Sequence, residues 1–478
     1  MNHLTTDLTG ELARFFSTLG LSDVPTNVKA EARRLLLDSI GCMIAATRTR
    51  MAPISYGLVD FLGDSNVASV VGRKRRASVA GALYANARLA NCMDLDETFP
   101  VAHHFGSTAV VSALALAEAS KASGSQSLQA LIAAYELGGR VASACGQIVY
   151  FKDGRVVGYP QLYSCSLPVV FAAAGAAIQL ERQGEALARE TLGLAGSNAP
   201  LPAANKWTQS LDLPDCKYAD AGWAALTGVF AARSASLGAT GFAAIFDGNQ
   251  NVIKMSGTDP FDADLLVGDL GSRWMLPDIT YKPWPTCRWT HQAMTALLKA
   301  IANETIDPEQ VQSILIGTNA FTSTPRFRNP APRTFCSRQF SIPHAIAMLL
   351  LDVPVGSAWL DEGQDENPKV RALREKVHVE QWDHADTFGK HIAREQTRKM
   401  PARALVVMHD GRHFEAESDF ALGDPWTTET AWDDEQVIKK FRVTSELSTD
   451  LADKVIEATL SIETQPSVEP IMSVLRDV

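Results

Sequence analysis

The sequence has no close pair of cysteines, no glycine-rich phosphate-binding motif and no long hydrophobic run. Its seven cysteines are scattered from Cys42 to Cys336. This spacing disfavours a disulfide framework and also an iron–sulfur cluster, whose ligands usually include a close pair. The motifs G-x-x-x-x-G-K-[ST], G-x-G-x-x-G, G-x-S-x-G and H-E-x-x-H are all missing. Nucleotide binding, dinucleotide binding, a nucleophile elbow and a zinc protease are therefore disfavoured.

Excess positive charge and membrane-spanning segments are missing as well. The net charge of −10 argues against nucleic acid as the main partner, because phosphate binding needs a basic surface. The longest apolar runs, such as residues 168–180, are too short to cross a bilayer. The first residues lack the basic segment and apolar core of a secretory signal. We therefore expect a cytoplasmic protein without a membrane or nucleic-acid partner.

The 478 residues change character twice along the chain. Up to about residue 245, apolar residues recur at helical spacing and many of them are alanine. Alternating β-type segments follow, among them residues 278–284, in which Lys282 is expected to follow a strand. They also include two runs joined by Asp410-Gly411, which is a strong hairpin signal. Helical patterns return near residue 429. We predict a mainly α fold with an inserted α+β domain. In this division, residues 1–277 and 425–478 form a large helical domain, and residues 278–424 form a smaller α+β lid domain.

The segment from Cys92 to Ser107 contains three carboxylates and two adjacent histidines ahead of an apolar helix. A metal site is one hypothesis, although the ligand spacing is not typical of any metal. In a second hypothesis, Asp94, Asp96 and Thr98 bond to loop backbone and the histidines are partly exposed. An acid–base site is the third, since a histidine oriented by a carboxylate titrates near neutral pH.

Two further segments place lysine before a helix. Lys217 precedes a helix rich in small residues. Lys282 precedes two prolines, which stiffen the turn, and is then followed by Cys287, Arg288 and His291 at a second helix start. Isolated lysines usually lie at the surface. The second segment is more informative, because a turn with several cations ahead of a helix suits carboxylate binding.

Taken together, these blocks resemble the MmgE/PrpD family. The blocks are "LLLDSIGCMIAA", "ANARLANCMDLDETF", "ALALAEASKASG", "AAYELGGRVASA", the Lys217 segment, "YKPWPTCRWTH" and "SRQFSIPHAIAMLLLD". The family includes 2-methylcitrate dehydratase, cis-aconitate decarboxylase and iminodisuccinate epimerase. The resemblance implies a helical domain with an α+β lid, a homodimer, and no metal or organic cofactor. It also implies a small di- or tricarboxylate as substrate.

The family's motifs transfer to this chain unevenly. Its D-F-D-D-T block matches residues 94–98, and the histidine after it matches His104, or His103 if the gap falls differently. Its K-x-x-H block keeps Lys217 but has Asp220 in place of the histidine. A further active-site histidine of the family is missing, and Tyr159, Leu162 or Tyr163 must stand where it would be. This departure indicates a divergent branch.

The resemblance yields a set of predicted site residues. The candidates for catalysis are His104, Lys217, Lys282, Asp94 and Tyr163, and those for substrate binding are Thr98, His103, Cys287 and Arg288. Dehydration of 2-methylcitrate or a related alkylcitrate is the leading hypothesis, by proton abstraction next to a carboxylate. Decarboxylation of a cis-aconitate-type acid and epimerisation of a dicarboxylate are alternatives. A protein that binds a metabolite without catalysis is the alternative of another class.

Overall fold

Helices make up most of the first half of the chain. The computed structural model describes residues 7–63, 65–159, 166–200, 210–217, 220–257 and 261–478. The helices of this half are α1 (Leu8–Thr18), α2 (Thr26–Ala46), α3 (Met51–Leu62), α4 (Val79–Asn91), α5 (Gly106–Ser120), α6 (Gly124–Cys145), α7 (Ser166–Leu180), α8 (Glu185–Ser197), α9 (Ala221–Ser236), α10 (Val252–Met255) and α11 (Ala263–Val267). A short hairpin of β1 (Tyr150–Lys152) and β2 (Arg155–Gly158) interrupts them.

Small residues let the central helices approach closely. Helix α6 packs along α7, which in turn packs against α9. A Cβ atom on Gly228 of α9 would overlap the carbonyl oxygen of Val170 in α7, so only glycine permits this approach. Gly175 of α7 faces the backbone of Ala133 in α6 in a similar way. The alanine content of the sequence thus becomes a tight stack of buried helices.

A four-stranded sheet organises the second half. It comprises β3 (Val311–Thr318), β4 (Val377–Gln381), β7 (Ala402–Met408) and β8 (His413–Ser418), in the order β4-β3-β7-β8. Strands β3 and β4 are parallel, and the other pairs are antiparallel. A small pair, β5 (Ile392–Ala393) and β6 (Gln396–Thr397), lies between them in sequence. The helices of this half are α12 (His291–Ala300), α13 (Phe335–Phe340), α14 (Ile342–Leu350) and α15 (Pro368–Glu375).

Three C-terminal helices return to the N-terminal half. They are α16 (Asp434–Ser445), α17 (Thr449–Leu460) and α18 (Glu469–Arg476). Helix α16 packs along α2, with Phe441 fully buried against Gly41. Both ends of the chain therefore contribute to one helical core. The boundaries drawn at residues 278 and 424 remain a prediction.

The predicted fold class is confirmed: the chain is mainly helical, with a mixed sheet in its C-terminal half. The predicted hairpin is β7–β8, and Gly411 at its turn has the positive φ of 88° that favours glycine. One local expectation was wrong. The segment before Lys282 is not a strand, and only a single bridge joins Thr280 to Thr98. Among the described residues, no helix has both the length and the apolarity to cross a membrane.

Candidate active site

The site is built around the loop between α4 and α5. Asp94 lies in this loop with a positive φ of 55°, a conformation that residues other than glycine adopt at some cost in strain. Two hydrogen bonds between the backbones of Thr98 and Thr280 join the loop to the segment that carries Lys282. The single bridge, rather than a regular strand, therefore brings two parts of the chain together that are distant in sequence.

Two buried lysines converge on the carboxylate of Asp94. The Lys282 ammonium donates to Oδ1 at 2.5 Å, and Nζ of Lys217 lies 3.3 Å from Oδ2. All three side chains are almost fully buried. Burial opposes the negative charge, but the two ammonium groups outweigh it and hold the pKa of Asp94 well below its usual range. Asp94 in turn raises the pKa of Lys217, against the effect of burial, so that Lys217 stays charged.

His104 completes this cluster as a neutral base. Its Nδ1 lies 2.7 Å from the carbonyl oxygen of Glu97, which can only accept, so Nδ1 carries the hydrogen. The basic nitrogen is therefore Nε2, which lies 3.6 Å from Oδ1 of Asp94. Burial, reinforced by the charge of Lys282, lowers the pKa of His104 to about 4. A neutral imidazole next to two ammonium groups suits proton abstraction from a carbon beside a carboxylate.

A metal ion fits this cluster poorly. Among the described residues, Asp94, Asp96 and His104 form the one group whose ligand atoms are close enough to share an ion. However, the ammonium groups of Lys217 and Lys282 contact the same Asp94 carboxylate. A divalent cation at this point would lie against two positive charges. The arrangement instead favours an anionic ligand, such as a carboxylate group of a substrate.

The N-terminus of α5 already has its anion-binding position occupied. Oε1 of Glu97 accepts from the backbone N–H of Gly106, the first residue of the helix. A Cβ atom on Gly106 would overlap this carboxyl group. Burial and the neighbouring Asp96 raise the pKa of Glu97 well above its usual value. The residue that caps this helix is therefore Glu97, which the capping hypothesis did not name, while Asp94 belongs to the cluster with the lysines.

The other predicted site residues differ in whether they contact this cluster. Oγ1 of Thr98 lies 3.4 Å from Nδ1 of His104. His103 is fully buried, and neither ring nitrogen has a hydrogen-bond partner among the described residues. Cys287 is buried, and burial raises the pKa of its thiol to about 12, so it is no nucleophile at neutral pH. Tyr163 lies outside the described residues.

Arg288 has a protein partner of its own. Its guanidinium is paired with the fully buried carboxylate of Asp424, which also accepts from the backbone N–H of Ala421. A guanidinium neutralised in this way is a weaker anchor for substrate than the sequence suggested. Asp220, which the resemblance aligns with a histidine of the family, caps α9 by accepting from the backbone N–H of Gly222, and its carboxylate lies 3.3 Å from the guanidinium of Arg88. Its side chain therefore forms a structural ion pair.

We expect Arg288→Gln to destabilise the protein by about 3–5 kcal/mol, since it leaves the buried charge of Asp424 without a partner. Urea unfolding measures the loss. The double variant Arg288→Gln/Asp424→Asn should recover most of it, because no charge remains unpaired. If the single variant were as stable as the wild type and only weakened substrate binding, Arg288 would be a substrate ligand instead.

Four buried histidines make the protein sensitive to mild acid. Burial lowers the pKa of His103 and His344 to about 3, of His104 to about 4, and of His291 well below its usual value. The unfolded chain binds these protons below about pH 6.5, whereas the folded chain does not. Above that pH, each histidine makes its full contribution to the free energy of unfolding. The contribution is lost as the pH falls through the pKa that the histidine has in the folded protein. We expect the urea-unfolding free energy to fall between pH 7 and 5, by up to about 1.4 kcal/mol per pH unit and group. The free energy of unfolding of His103→Leu should fall less steeply than that of the wild type, because one of these histidines is removed, and equal slopes for the two proteins would contradict the argument.

Several contributors to the site were missed by the sequence reasoning. Nδ2 of Asn91 donates to Asp96 at 2.9 Å, and Nε2 of Gln339 donates to the carbonyl oxygen of Cys92 at 2.8 Å. Lys440 of α16 donates to the carbonyl oxygen of Leu95 at 2.7 Å. For Lys440 a signal existed, because it lies at helical spacing between two apolar residues of the buried face.

Comparison with known proteins identifies the family. Residues 10–263 match the model of the MmgE/PrpD N-terminal domain, and residues 284–464 match that of the MmgE/PrpD C-terminal domain. The chain belongs to the MmgE/PrpD family. Human cis-aconitate decarboxylase is 24% identical to this MmgE/PrpD chain over 473 residues, covering 95% of the chain and 92% of the relative.

Two fungal relatives of this MmgE/PrpD protein are similar over their full length too. The cis-aconitate decarboxylase-like protein oryM of Aspergillus oryzae is 24% identical, and the match covers 98% of this chain and 97% of the relative. Cis-aconitate decarboxylase of Aspergillus terreus is 21% identical and covers 98% and 96%. The relatives support a lyase-type activity in this branch of the MmgE/PrpD family. They give no support to 2-methylcitrate dehydration in particular.

Proposed function

We propose that the protein is a cofactor-independent lyase that decarboxylates a small polycarboxylate of the cis-aconitate type. The observation that carries the proposal is the buried array of Lys217, Asp94 and Lys282 with the Nε2 atom of His104 beside it. This array offers fixed positive charge and a proton-transfer group at one point. The names of the relatives favour decarboxylation over the other reactions of the family.

The proposed reaction needs charge stabilisation and one proton. In an acid with a β,γ double bond, loss of CO2 leaves the electron pair of the broken bond on the α-carbon, where it forms a new double bond to the β-carbon. The negative charge then lies on the γ-carbon and on the carboxylate attached to it, as in an enediolate. The ammonium groups of Lys217 and Lys282 would hold this charge in a site without bulk water. A proton delivered to that carbon completes the product.

His104 would acquire its proton together with the substrate. In the free protein its pKa is lowered to about 4 by burial and by the charge of Lys282. Carboxylates of the substrate beside the two lysines would offset that charge and raise the pKa of His104. Binding would then be accompanied by proton uptake, and the imidazolium could serve as the acid. Tyr163 stays a candidate for a second proton-transfer group.

Dehydration of 2-methylcitrate is the second candidate, favoured by the neutral state of His104 in the free protein. In this reaction His104 would remove the proton next to a carboxylate, and an acid would protonate the departing hydroxyl group. The same neutral base would also suit epimerisation of a dicarboxylate.

Proton NMR of the chelator-treated protein in D2O tests these alternatives. Cis-aconitate, 2-methylcitrate, citrate and a chiral amino-dicarboxylate are supplied separately. We expect CO2 release and new CH2= signals, with deuterium in the product, from cis-aconitate. Replacement of the methyl doublet of 2-methylcitrate by the singlet of a methyl group on a double bond, or a vinylic signal if the proton is lost from the CH2 group, would favour dehydration. Deuterium at the α-carbon of the amino acid would favour epimerisation. No change in any sample would contradict a lyase, and a thermal-shift screen of the same acids would then test binding without catalysis.

The oligomeric state and location remain predictions. The homodimer implied by the family resemblance should appear as twice the 51.7 kDa chain mass in light scattering coupled to size-exclusion chromatography. A cytoplasmic location stays a prediction from the sequence.

A further inference from the structure

The loop that carries Asp94 adopts a conformation that its sequence does not favour. Asp94 has a φ of 55°, and Lys217, which faces it, has a φ of 48°. Neither residue is glycine, so each pays for its left-handed backbone. Strain of this kind persists only where the surroundings fix the chain. Contacts from other parts of the chain must therefore hold this loop in place.

Side chains from three distant segments bind the backbone carbonyl groups of the loop. Nζ of Lys217 lies 3.3 Å from the carbonyl oxygen of Asn91, and Gln339 donates to that of Cys92. The carbonyl oxygen of Leu95, directly after Asp94, accepts from Nζ of Lys440 at 2.7 Å. Lys217 also contacts the carboxylate of Asp94. Lys440, in contrast, binds only the backbone of this turn and, in the described part of the chain, makes no contact with the lysine cluster.

Lys440 is a buried charge with a single carboxylate partner among the described residues. Its side chain is 4% exposed, and Nζ lies 2.6 Å from Oδ1 of Asp38, whose side chain is fully buried. Asp38 belongs to α2 and Lys440 to α16, the two helices that bring the ends of the chain together. Burying such a pair is costly, and an apolar pair of similar volume often replaces one without loss of stability. Stability alone therefore does not account for a lysine at this position.

We propose that Lys440 is a positioning residue, which holds the Leu95 carbonyl group and thereby keeps the left-handed turn that aims Asp94 at Lys217 and Lys282. Asp38 neutralises Lys440, so that its ammonium group can remain buried beside the loop. Lys440 does not contact the lysine cluster and takes no chemical part in the reaction. The consequence for turnover rests on the proposed function, whereas the consequence for the loop does not.

The test separates positioning from simple charge compensation. Four variants are compared with the wild type: Lys440→Met, Lys440→Arg, Lys440→Met/Asp38→Asn and the control Lys439→Met, which removes the neighbouring exposed lysine of the same helix. The double variant leaves no buried charge, so its unfolding temperature should return close to that of the wild type. Hydrogen–deuterium exchange of residues 92–98 reports on the loop whether or not a substrate is known. Turnover is measured on the acid that the wild type consumes.

We expect the double variant to be folded, with exchange in residues 92–98 at least about tenfold faster and with other protected segments unchanged. Its kcat should fall at least about tenfold, with a smaller change in KM, because the cations are misplaced for the transition state. Lys440→Arg keeps a charged donor and should recover most of the activity.

Wild-type exchange and wild-type kcat in the double variant would overturn the proposal and leave Lys440 as a partner of Asp38 only. If the wild type consumed none of the acids, the proposed function would fail, while the exchange of residues 92–98 would still decide the role of Lys440.

Discussion

Replacing Lys282 with methionine is expected to lower kcat about 10²–10³-fold, as the loss of one preorganised donor to a developing negative charge does elsewhere. Methionine keeps the length of the side chain but removes the charge that lies 2.5 Å from Asp94. The same change leaves Asp94 with Lys217 as its remaining ammonium contact among the described residues. Stability should therefore fall too, since half of a buried ion pair is lost. Steady-state kinetics and urea unfolding measure the two effects.

A second substitution tests whether Lys282 does more than neutralise Asp94. Lys282→Met/Asp94→Asn also removes the carboxylate that the buried Lys217 contacts, so it should remain inactive and should not regain stability. Lys299→Met serves as the matched control, because that lysine is a partly exposed residue paired with Glu429 at 2.8 Å on the surface. Activity within tenfold of the wild type in Lys282→Met would remove Lys282 from the proposed mechanism. Activity restored in the double variant would show that it only neutralises Asp94.

His104→Asn is expected to lower kcat about 10²–10⁴-fold, the range for loss of a general acid or base. Asparagine can keep the hydrogen bond to the carbonyl oxygen of Glu97 but has no basic nitrogen at the position of Nε2. The fold should therefore persist. His378→Asn is the matched control, because His378 is an exposed histidine on β4.

The charge state of His104 is testable without a substrate assay. Because its pKa is lowered to about 4, the ring should still be neutral at pH 5.5, where an ordinary histidine is mostly charged. Nitrogen-15 NMR of labelled histidines shows this directly, and comparison with His104→Asn assigns the signal. Addition of the substrate acid should move the signal toward the charged form. An imidazolium at pH 5.5 in the free protein would contradict the assignment of His104 as a buried base.

The sequence predicted the fold class but not how the candidate site residues are arranged. Helical spacing and the Asp410-Gly411 turn were sufficient for the helical part and the hairpin, because both are local patterns. The pairing of Asp94 with two lysines depends on contacts between residues more than a hundred positions apart. No local pattern encodes such contacts. Only the resemblance to the MmgE/PrpD family predicted that these residues belong to one site.

The remaining differences have physical reasons as well. Arg288 was predicted as a substrate ligand because it follows Lys282 in a cationic turn, but Asp424, from a distant loop, is paired with it. Asp220, which the resemblance aligns with a histidine, caps α9 and forms an ion pair with Arg88. Lys440 escaped notice because lysine in a helix usually faces solvent, and only its place on the apolar face of α16 marked it as buried.

The contact between Lys440 and Leu95 has a consequence for the order in which the protein is made. The two residues are 345 positions apart, and α16, which carries Lys440, packs along α2. A ribosome must add 345 residues after Leu95 before this lysine is synthesised. Until then α2 lacks α16 as one of its packing partners, and the loop with Asp94 lacks one of its supports. In the nascent chain the candidate site therefore stays incomplete until α16 docks on α2.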